Sequence, residues 1–446
     1  MCYANHHNII LLIPCTDSYT LQIKELLAIV SFVMLMFAFE LFDNNMIPSL
    51  ILCMLFLVSG LGTPNEIFSS WANEIPWSMI GALILVGVMN GTNLLKRFAY
   101  GLMTRTGAKI RNILLIFMFA GIAFSTVLAA NIGMPLAILA FGLCDALELK
   151  PKTNSAAKIM MGTYFAFTVG ATVFLGPLTN MGAGVIAQQI EGFSISFSEY
   201  FKHNWLFIPY GFILVLLVNR LFKEDQPIAG KEVLQKEYKK LGKVSPKEIK
   251  LIILFIVLFI CLFFSDQIGL SVGWMILIAA IICMLPFLKM GNSSALSEIR
   301  WPLVVFLTAC LSIGTIASKV GAGDFIASIF LPLMSKVGQF GSLILMYWVG
   351  VIVNFVLTPL AAQGAMFVPL STIGTSLGLS PNIVLYVFQN GVNQALLPYE
   401  IALAMFYYSF GLVSLKQFFK AGLIMLVTNF IWVFAVMVPY WHLIGI

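Results

Sequence analysis

The chain has 446 residues, of which 60% are apolar and only 10% charged, with a formal net charge of +6. Soluble domains carry roughly a quarter charged residues, so a water-soluble fold is excluded: it could not hide this much apolar surface. Neither an enzyme nor a nucleic-acid partner is expected.

The N-terminal segment, residues 1–24, holds a short apolar piece, Asn8 to Pro14, too short to span a bilayer and not preceded by the Lys/Arg cluster of a signal peptide. Its contact with the membrane is left open. From residue 25 the chain divides into two similar halves, 25–222 and 251–446. Each begins with two short apolar spans (25–42 and 44–60; 250–265 and 270–288) and a third (76–95; 301–318). Two apolar arms follow, predicted as a hairpin over 112–147 in the first half and 340–376 in the second. Next comes a segment interrupted by polar residues or proline, predicted as a broken helix over 157–190 and over 382–412, and a final helix closes each half.

The halves echo one another in detail. Glu74-Ile75-Pro76-Trp77 opens a span in the first, and Glu298-Ile299-Arg300-Trp301 its counterpart. Ser196 to Lys202 (SFSEYFK) is matched by Ser414 to Lys420 (SLKQFFK), each leading into the last helix of its half. Five net crossings per half require the second copy to insert upside down. Charge tests this independently: placing 61–75, 96–111, 148–158, 220–250, 289–300 and 413–420 on one side collects 21 of the 25 lysines and arginines. The connector 223–250, with eight lysines and five acidic residues, then reads as a solvated cytoplasmic segment. The expected fold is an all-α polytopic membrane protein of two inverted-topology repeats, with hairpins and broken helices at a binding site, placed in the cell membrane.

Chemistry is sparse. The seven cysteines are scattered, the four histidines (His6, His7, His203, His442) do not cluster, and no P-loop is present. No cofactor is implied, and any pumping must draw on an ion or solute gradient. Unwound backbone inside a membrane is tolerated only where protein or a watery cavity satisfies it, so the two helix breaks are the expected binding site. Half-helix N-termini favour an anion, and exposed carbonyls at C-terminal ends suit a cation.

Gly170-Ala-Thr-Val-Phe-Leu-Gly176-Pro-Leu-Thr179-Asn180, the repeat plan and the Gly411 to Gly422 passage resemble the divalent anion/sodium symporters, within the wider ion transporter superfamily of dicarboxylate, citrate and sulfate carriers. The likeness covers roughly 25–445. It implies a small anionic substrate, Na⁺ as a coupling ion near Ser125, Asn131, Gly176 and Asn180, and a homodimer surrounded by membrane lipid. Carried over by position, the first hairpin tip is either Ser125-Thr126-Val127 or centred on Asn131. The second tip is Leu357-Thr358-Pro359. The second clamp keeps Leu397-Pro398 but has Tyr399-Glu400 and Ile401 to Ala404 where the family has Thr-Pro-Pro-Asn.

The candidate substrate- and cation-binding residues are therefore Asn131, Thr179, Asn180, Thr358, Asn393 and Gln394. For Thr179 and Asn180 the competing reading is a helix cap; for Asn131, Asn393 and Gln394 it is a cross-helix bond. Glu400 is the carboxylate that falls inside an apolar broken helix, a costly place unless it is paired, protonated or functional. It is read either as a proton-coupling group or cation ligand, or as a neutral acid holding Asn393 or Gln394. The leading function is secondary active transport of a di- or tricarboxylate or similar oxyanion coupled to Na⁺ or H⁺; the alternatives are a passive channel and a carrier-derived membrane protein without transport.

Overall fold

The computed structural model describes residues 19–38, 41–42, 46–106, 109–128, 132–176, 183, 193–225, 231–297, 299, 301–355 and 359–446. Among them the regular structure is helical. In chain order the first half contains α1 (Leu21–Ala38), α2 (Met46–Val58), α3 (Glu74–Asn90), α4 (Leu94–Thr106), α5 (Ile110–Leu128), α6 (Gly133–Ala146), α7 (Asn154–Val173), α8 (Phe197–Asn204) and α9 (Phe207–Leu221). The connector holds α10 (Lys231–Lys240). The second half contains α11 (Pro246–Phe263), α12 (Val272–Met284), α13 (Trp301–Lys319), α14 (Ala322–Asn354), α15 (Pro359–Ser376), α16 (Pro381–Val392), α17 (Ala402–Ser409) and α18 (Leu415–Trp432), which runs on through a π turn to Leu443.

Lipid is the solvent for this fold. On α11, Glu248, Leu251, Phe255, Leu258 and Leu262 are buried while Ile249, Ile252, Ile253, Ile256, Val257 and Ile260 are exposed, so the helix is apolar on both faces. Among the described residues, Lys336–Asn354 and Leu415–Leu443 are each long and apolar enough to cross a bilayer alone. Two further spans are bent pairs: Glu74–Asn90 with Leu94–Arg105, at 61°, and Phe197–Asn204 with Phe207–Leu221, at 48°. At 1.5 Å per residue, α6, with 14 residues, reaches about 21 Å, short of the ~30 Å hydrocarbon core.

Helix ends follow from local sequence. The matched passages SFSE and SLKQ each form a reciprocal capping box: Ser196 with Glu199 opens α8, and Ser414 with Gln417 opens α18. Within α14 the helix kinks at Gly338, whose φ of 70° lies in the left-handed region that glycine adopts without a Cβ penalty. Ser342 Oγ donates to the carbonyls of Gly338 (2.8 Å) and Met334 (3.0 Å), satisfying oxygens that the kink frees.

Glycines set the closest crossings. A Cβ on Gly121 of α5 would stand 2.5 Å from the Ala166 carbonyl oxygen of α7, and one on Gly170 would stand 2.7 Å from that of Gly121. The second half repeats this between α14 and α16: a Cβ on Gly350 would stand 2.8 Å from the Phe388 oxygen, and one on Gly391 would overlap the Tyr347 carbonyl. Each hairpin's first arm thus lies backbone to backbone on the helix that later breaks, as small residues permit in membranes.

Near the expected boundaries, α1 opens at Leu21 and α11 opens at Pro246, inside the segment read as a connector. The segment 223–250, expected to be solvated, also packs against the rest of the chain. Leu234 of α10 is fully buried and Tyr238 packs over Gly101 of α4. Arg97 of α4 donates to the carbonyls of Leu241, Gly242 and Lys243 and pairs with Glu248 at 3.4 Å. A count of charges cannot register one apolar side chain and a row of carbonyls placed opposite an arginine.

The connector's first residues also hold α7. The Asp225 carboxylate accepts from the backbone N–H groups of Asn154 (2.7 Å) and Ser155 (3.2 Å). Partial desolvation pushes its pKa up, but these hydrogen bonds outweigh that and leave it below the usual 3.8. A depressed folded-state pKa gives stability that is fully present above the unfolded value and lost as pH falls through the folded one. Asp225→Ala is expected to cost about 1 kcal/mol near neutral pH, as for other helix caps. The gap from wild type should close on acidification. A melting-temperature series over pH checks this, and a gap that persists in acid would refute it.

Candidate functional site

The helix breaks face the ends of the hairpin arms. In the first half, Ser125 near the end of α5 is buried, and its hydroxyl oxygen has no partner among the described residues. Gly170 of α7 packs directly against it. Three residues on, α7 stops at Val173; Phe174 is extended (φ −117°, ψ 143°), Phe174 and Leu175 are buried, and Gly176 is half-buried. At the start of the second arm, Tyr407 of α17, fully buried, donates to the Gly133 carbonyl at 3.1 Å and meets the Tyr164 ring of α7 edge to face. One end of the first hairpin is thereby tied to the second half of the chain. Asn131, Thr179 and Asn180 lie outside the described residues, as does Thr358.

The second break is described almost completely. Helix α16 ends at Val392, and Asn393, half-buried, returns its N–H to the Gln389 carbonyl. Residues 393–397 are unwound, and Gly422 of α18 lies so close to the Ala395 carbonyl that only a glycine fits. A single 3₁₀ turn, Pro398–Glu400, precedes α17.

Glu400 gathers this break. It is 2% exposed, and one carboxylate oxygen accepts from the backbone N–H groups of Leu397 (2.6 Å) and Leu396 (3.2 Å). The other accepts from Asn354 Nδ2 at 3.2 Å, and that same amide nitrogen donates to the Gln394 carbonyl at 2.7 Å. Gln394, itself buried, donates through Nε2 to the Asn390 carbonyl at 2.8 Å. Five buried side-chain carbonyl oxygens are left without a hydrogen bond among the described residues, those of Asn204, Asn354, Gln363, Asn382 and Gln394; two belong to this cluster, Asn354 Oδ1 at the end of α14 and Gln394 Oε1 at the break. Such oxygens are acceptors that suit a cation or a proton donor.

Between Lys336 and Lys416 the sequence holds no charged side chain except Glu400, and between Arg111 and Asp145 none at all. An anion at this site would therefore find no lysine or arginine within these two stretches of sequence. The positive ends of half-helices and backbone N–H groups are what this stretch of chain can offer it.

The structure brings together Gln394 and Glu400 of the sequence candidates, and places Asn393 beside them. Asn354 was missed. Asn354 reads in sequence as one amide ending an apolar arm, and only its contact with residues 40 and 46 positions later gives it a role. The charge-free window around Glu400 was the signal available for the cluster as a whole.

A helical membrane fold with paired hairpins and interrupted helices is the architecture of polytopic carriers. The chain belongs to the family described as the sodium:sulfate symporter transmembrane region, whose model matches residues 5–446. It is an integral membrane protein. Over 231 residues it is 27% identical to the sodium-dependent dicarboxylate transporter SdcS of Staphylococcus saprophyticus subsp. saprophyticus, a match spanning 47% of this chain and 43% of that protein. The chain therefore matches less than half the length of this curated relative. The crystal structure of the YdaH transporter of Alcanivorax borkumensis superposes with a TM-score of 0.59 at 13% identity, covering 88% of this chain and 89% of the other, a likeness of fold.

Proposed function

We propose that this protein is a secondary active carrier that moves a small anion, a di- or tricarboxylate or similar oxyanion, coupled to Na⁺ or H⁺ by alternating access. The observation that carries the reading is Glu400: a buried carboxylate holding the unwound backbone of a broken helix and the end of a hairpin arm together. A group so placed changes its hydrogen bonds when it gains a proton, and those bonds join the elements that must move.

In this reading the two breaks have different tasks. The first, with Ser125, Asn131, Gly176 and Asn180, takes Na⁺; the second uses Glu400 as the proton-coupling group. Thr179, Asn180, Thr358, Asn393 and Gln394 contact the substrate or the cation. The two halves are inverted repeats, supported by the matched capping boxes and the matched glycine crossings. The connector is cytoplasmic, supported by the lysines and arginines of its face. The protein works as a homodimer in lipid, as the family resemblance implies.

The test is a thermal-shift screen of the purified protein against carboxylates, sulfate, phosphate and arsenite, in Na⁺ or choline, at two pH values. A ligand that binds only the folded state raises its stability by roughly 2.7 kcal/mol at a hundredfold excess over Kd. Stabilisation by one anion that requires Na⁺ supports sodium coupling at the first break. Stabilisation that depends on pH and is lost in Glu400→Gln supports proton coupling at the second. No shift with any anion would move the weight to a carrier-derived protein without transport.

A further inference from the structure

We infer that Asn354 is a positioning residue that ties the protonation state of Glu400 to the end of the second hairpin's first arm. The inference rests on the proposed role of Glu400 and extends it to a residue that neither the family match nor the sequence pattern singles out.

The geometry is that of a two-way bridge. Asn354 is the last residue of α14, directly before the tip of the hairpin. Its two amide hydrogens are both used, one on the Gln394 carbonyl at 2.7 Å and one on Glu400 at 3.2 Å. The orientation of the amide is fixed by these partners, because the reversed amide would set Oδ1 against the Gln394 oxygen. With Glu400 ionised, every contact pairs a donor with an acceptor: two backbone N–H groups on one carboxylate oxygen and the Asn354 amide on the other.

A proton on Glu400 breaks that pattern wherever it sits. On the oxygen facing Leu396 and Leu397 it meets two N–H donors. On the oxygen facing Asn354 it meets a third. The second conflict is relieved if the amide turns over, so that Asn354 Oδ1, now without a partner among the described residues, accepts the new O–H. The Gln394 carbonyl then loses its donor, and the arm end loses its hold on the break. Protonation and release of the hairpin are one event.

The surroundings leave Glu400 as the titrating group. Tyr164 of α7 lies near enough to feel its charge, and Tyr407 of α17 is engaged with Gly133. Among the cations on the adjoining helices, Lys158 of α7 is bound to Asn219 and Glu224, and Lys420 of α18 to the Leu221 carbonyl, while Lys336, beside the kink of α14, and Lys416, in the first turn of α18, are exposed. No histidine lies between His203 and His442.

The experiment is hydrogen–deuterium exchange of the full chain in lipid nanodiscs between about pH 5 and about pH 8, corrected for the intrinsic effect of pH, a window that spans the usual stability maximum. In the wild type, exchange of the peptide covering 350–366 is expected to rise several-fold on acidification. In Asn354→Ala that pH response should be lost for 350–366 yet persist for 394–401, where Glu400 still titrates. Asn354→Asp, nearly isosteric, sets a second carboxylate against the first and should move the midpoint to higher pH; the separation of the two peptides' responses in Asn354→Ala is what a purely structural residue would not produce. A hairpin peptide that keeps its pH response in Asn354→Ala, or an unmoved midpoint in Asn354→Asp, overturns the role of Asn354. A response that survives in Glu400→Gln overturns the proton-coupling reading instead, and no response in the wild type overturns both.

Discussion

Glu400→Leu is expected to lower the stability of the protein by about 2–4 kcal/mol and to abolish coupled transport. The leucine would leave the N–H groups of Leu396 and Leu397 and the Asn354 amide without their acceptor. Each buried donor left unpaired costs on the order of 1–3 kcal/mol. Removal of the carboxyl also lifts the cost of holding it out of water, which brings the net loss below that simple sum. Glu400→Gln should fall between leucine and wild type. Its carbonyl oxygen can keep the two backbone donors, but its own NH₂ then faces the Asn354 NH₂, donor against donor. The ordering wild type, glutamine, leucine in detergent melting temperature checks the argument. A leucine variant that melts with the wild type would mean that the break is held by something other than this carboxylate.

Much of the architecture was legible because membrane helices are written in long apolar runs and their interruptions. Across 112–147, expected as a hairpin, lie the helices Ile110–Leu128 and Gly133–Ala146, and across 340–376 lie the end of α14 and Pro359–Ser376. The Ser-x-x-Glu and Ser-x-x-Gln passages announced helix starts because a capping box needs only four adjacent residues. What stayed hidden depends on contacts distant in sequence. The 35 glycines are too many to single out those at backbone crossings. The bridging role of Asn354 requires knowing what faces it 46 positions on, and the docking of α10 requires knowing that Arg97 faces a row of carbonyls. At the first break Asn131, Thr179 and Asn180 are outside the described residues. There the reading rests on Ser125, Gly170 and the extended turn after Val173.

The two breaks share a mechanical premise: each lies beyond a helix pressed against its hairpin arm through glycine. Gly391→Ala is therefore expected to be among the most damaging single-methyl additions in the chain. The new Cβ would fall on the Tyr347 carbonyl oxygen, which belongs to the backbone of α14 and cannot rotate away. Relief requires α14 and α16 to separate, and Gly350 against Phe388 and Val392 shows that the same crossing is tight from the other side. Overpacking of this kind costs typically 1–3 kcal/mol, and a backbone obstacle puts it at or above the upper end. Separation would also pull Asn354, four residues past Gly350, away from Gln394 and Glu400, so the surviving folded protein should lose its pH response as well as stability. Gly142→Ala is the control. It lies in helix α6, and its Cβ would meet nothing within 4 Å. There the gain in helix propensity is worth about 0.5–1 kcal/mol, and the variant should match or exceed the wild type in melting temperature. If both variants melted alike, the close crossing of α14 and α16 would not be a constraint on the fold, and the link from hairpin to break would have to run elsewhere.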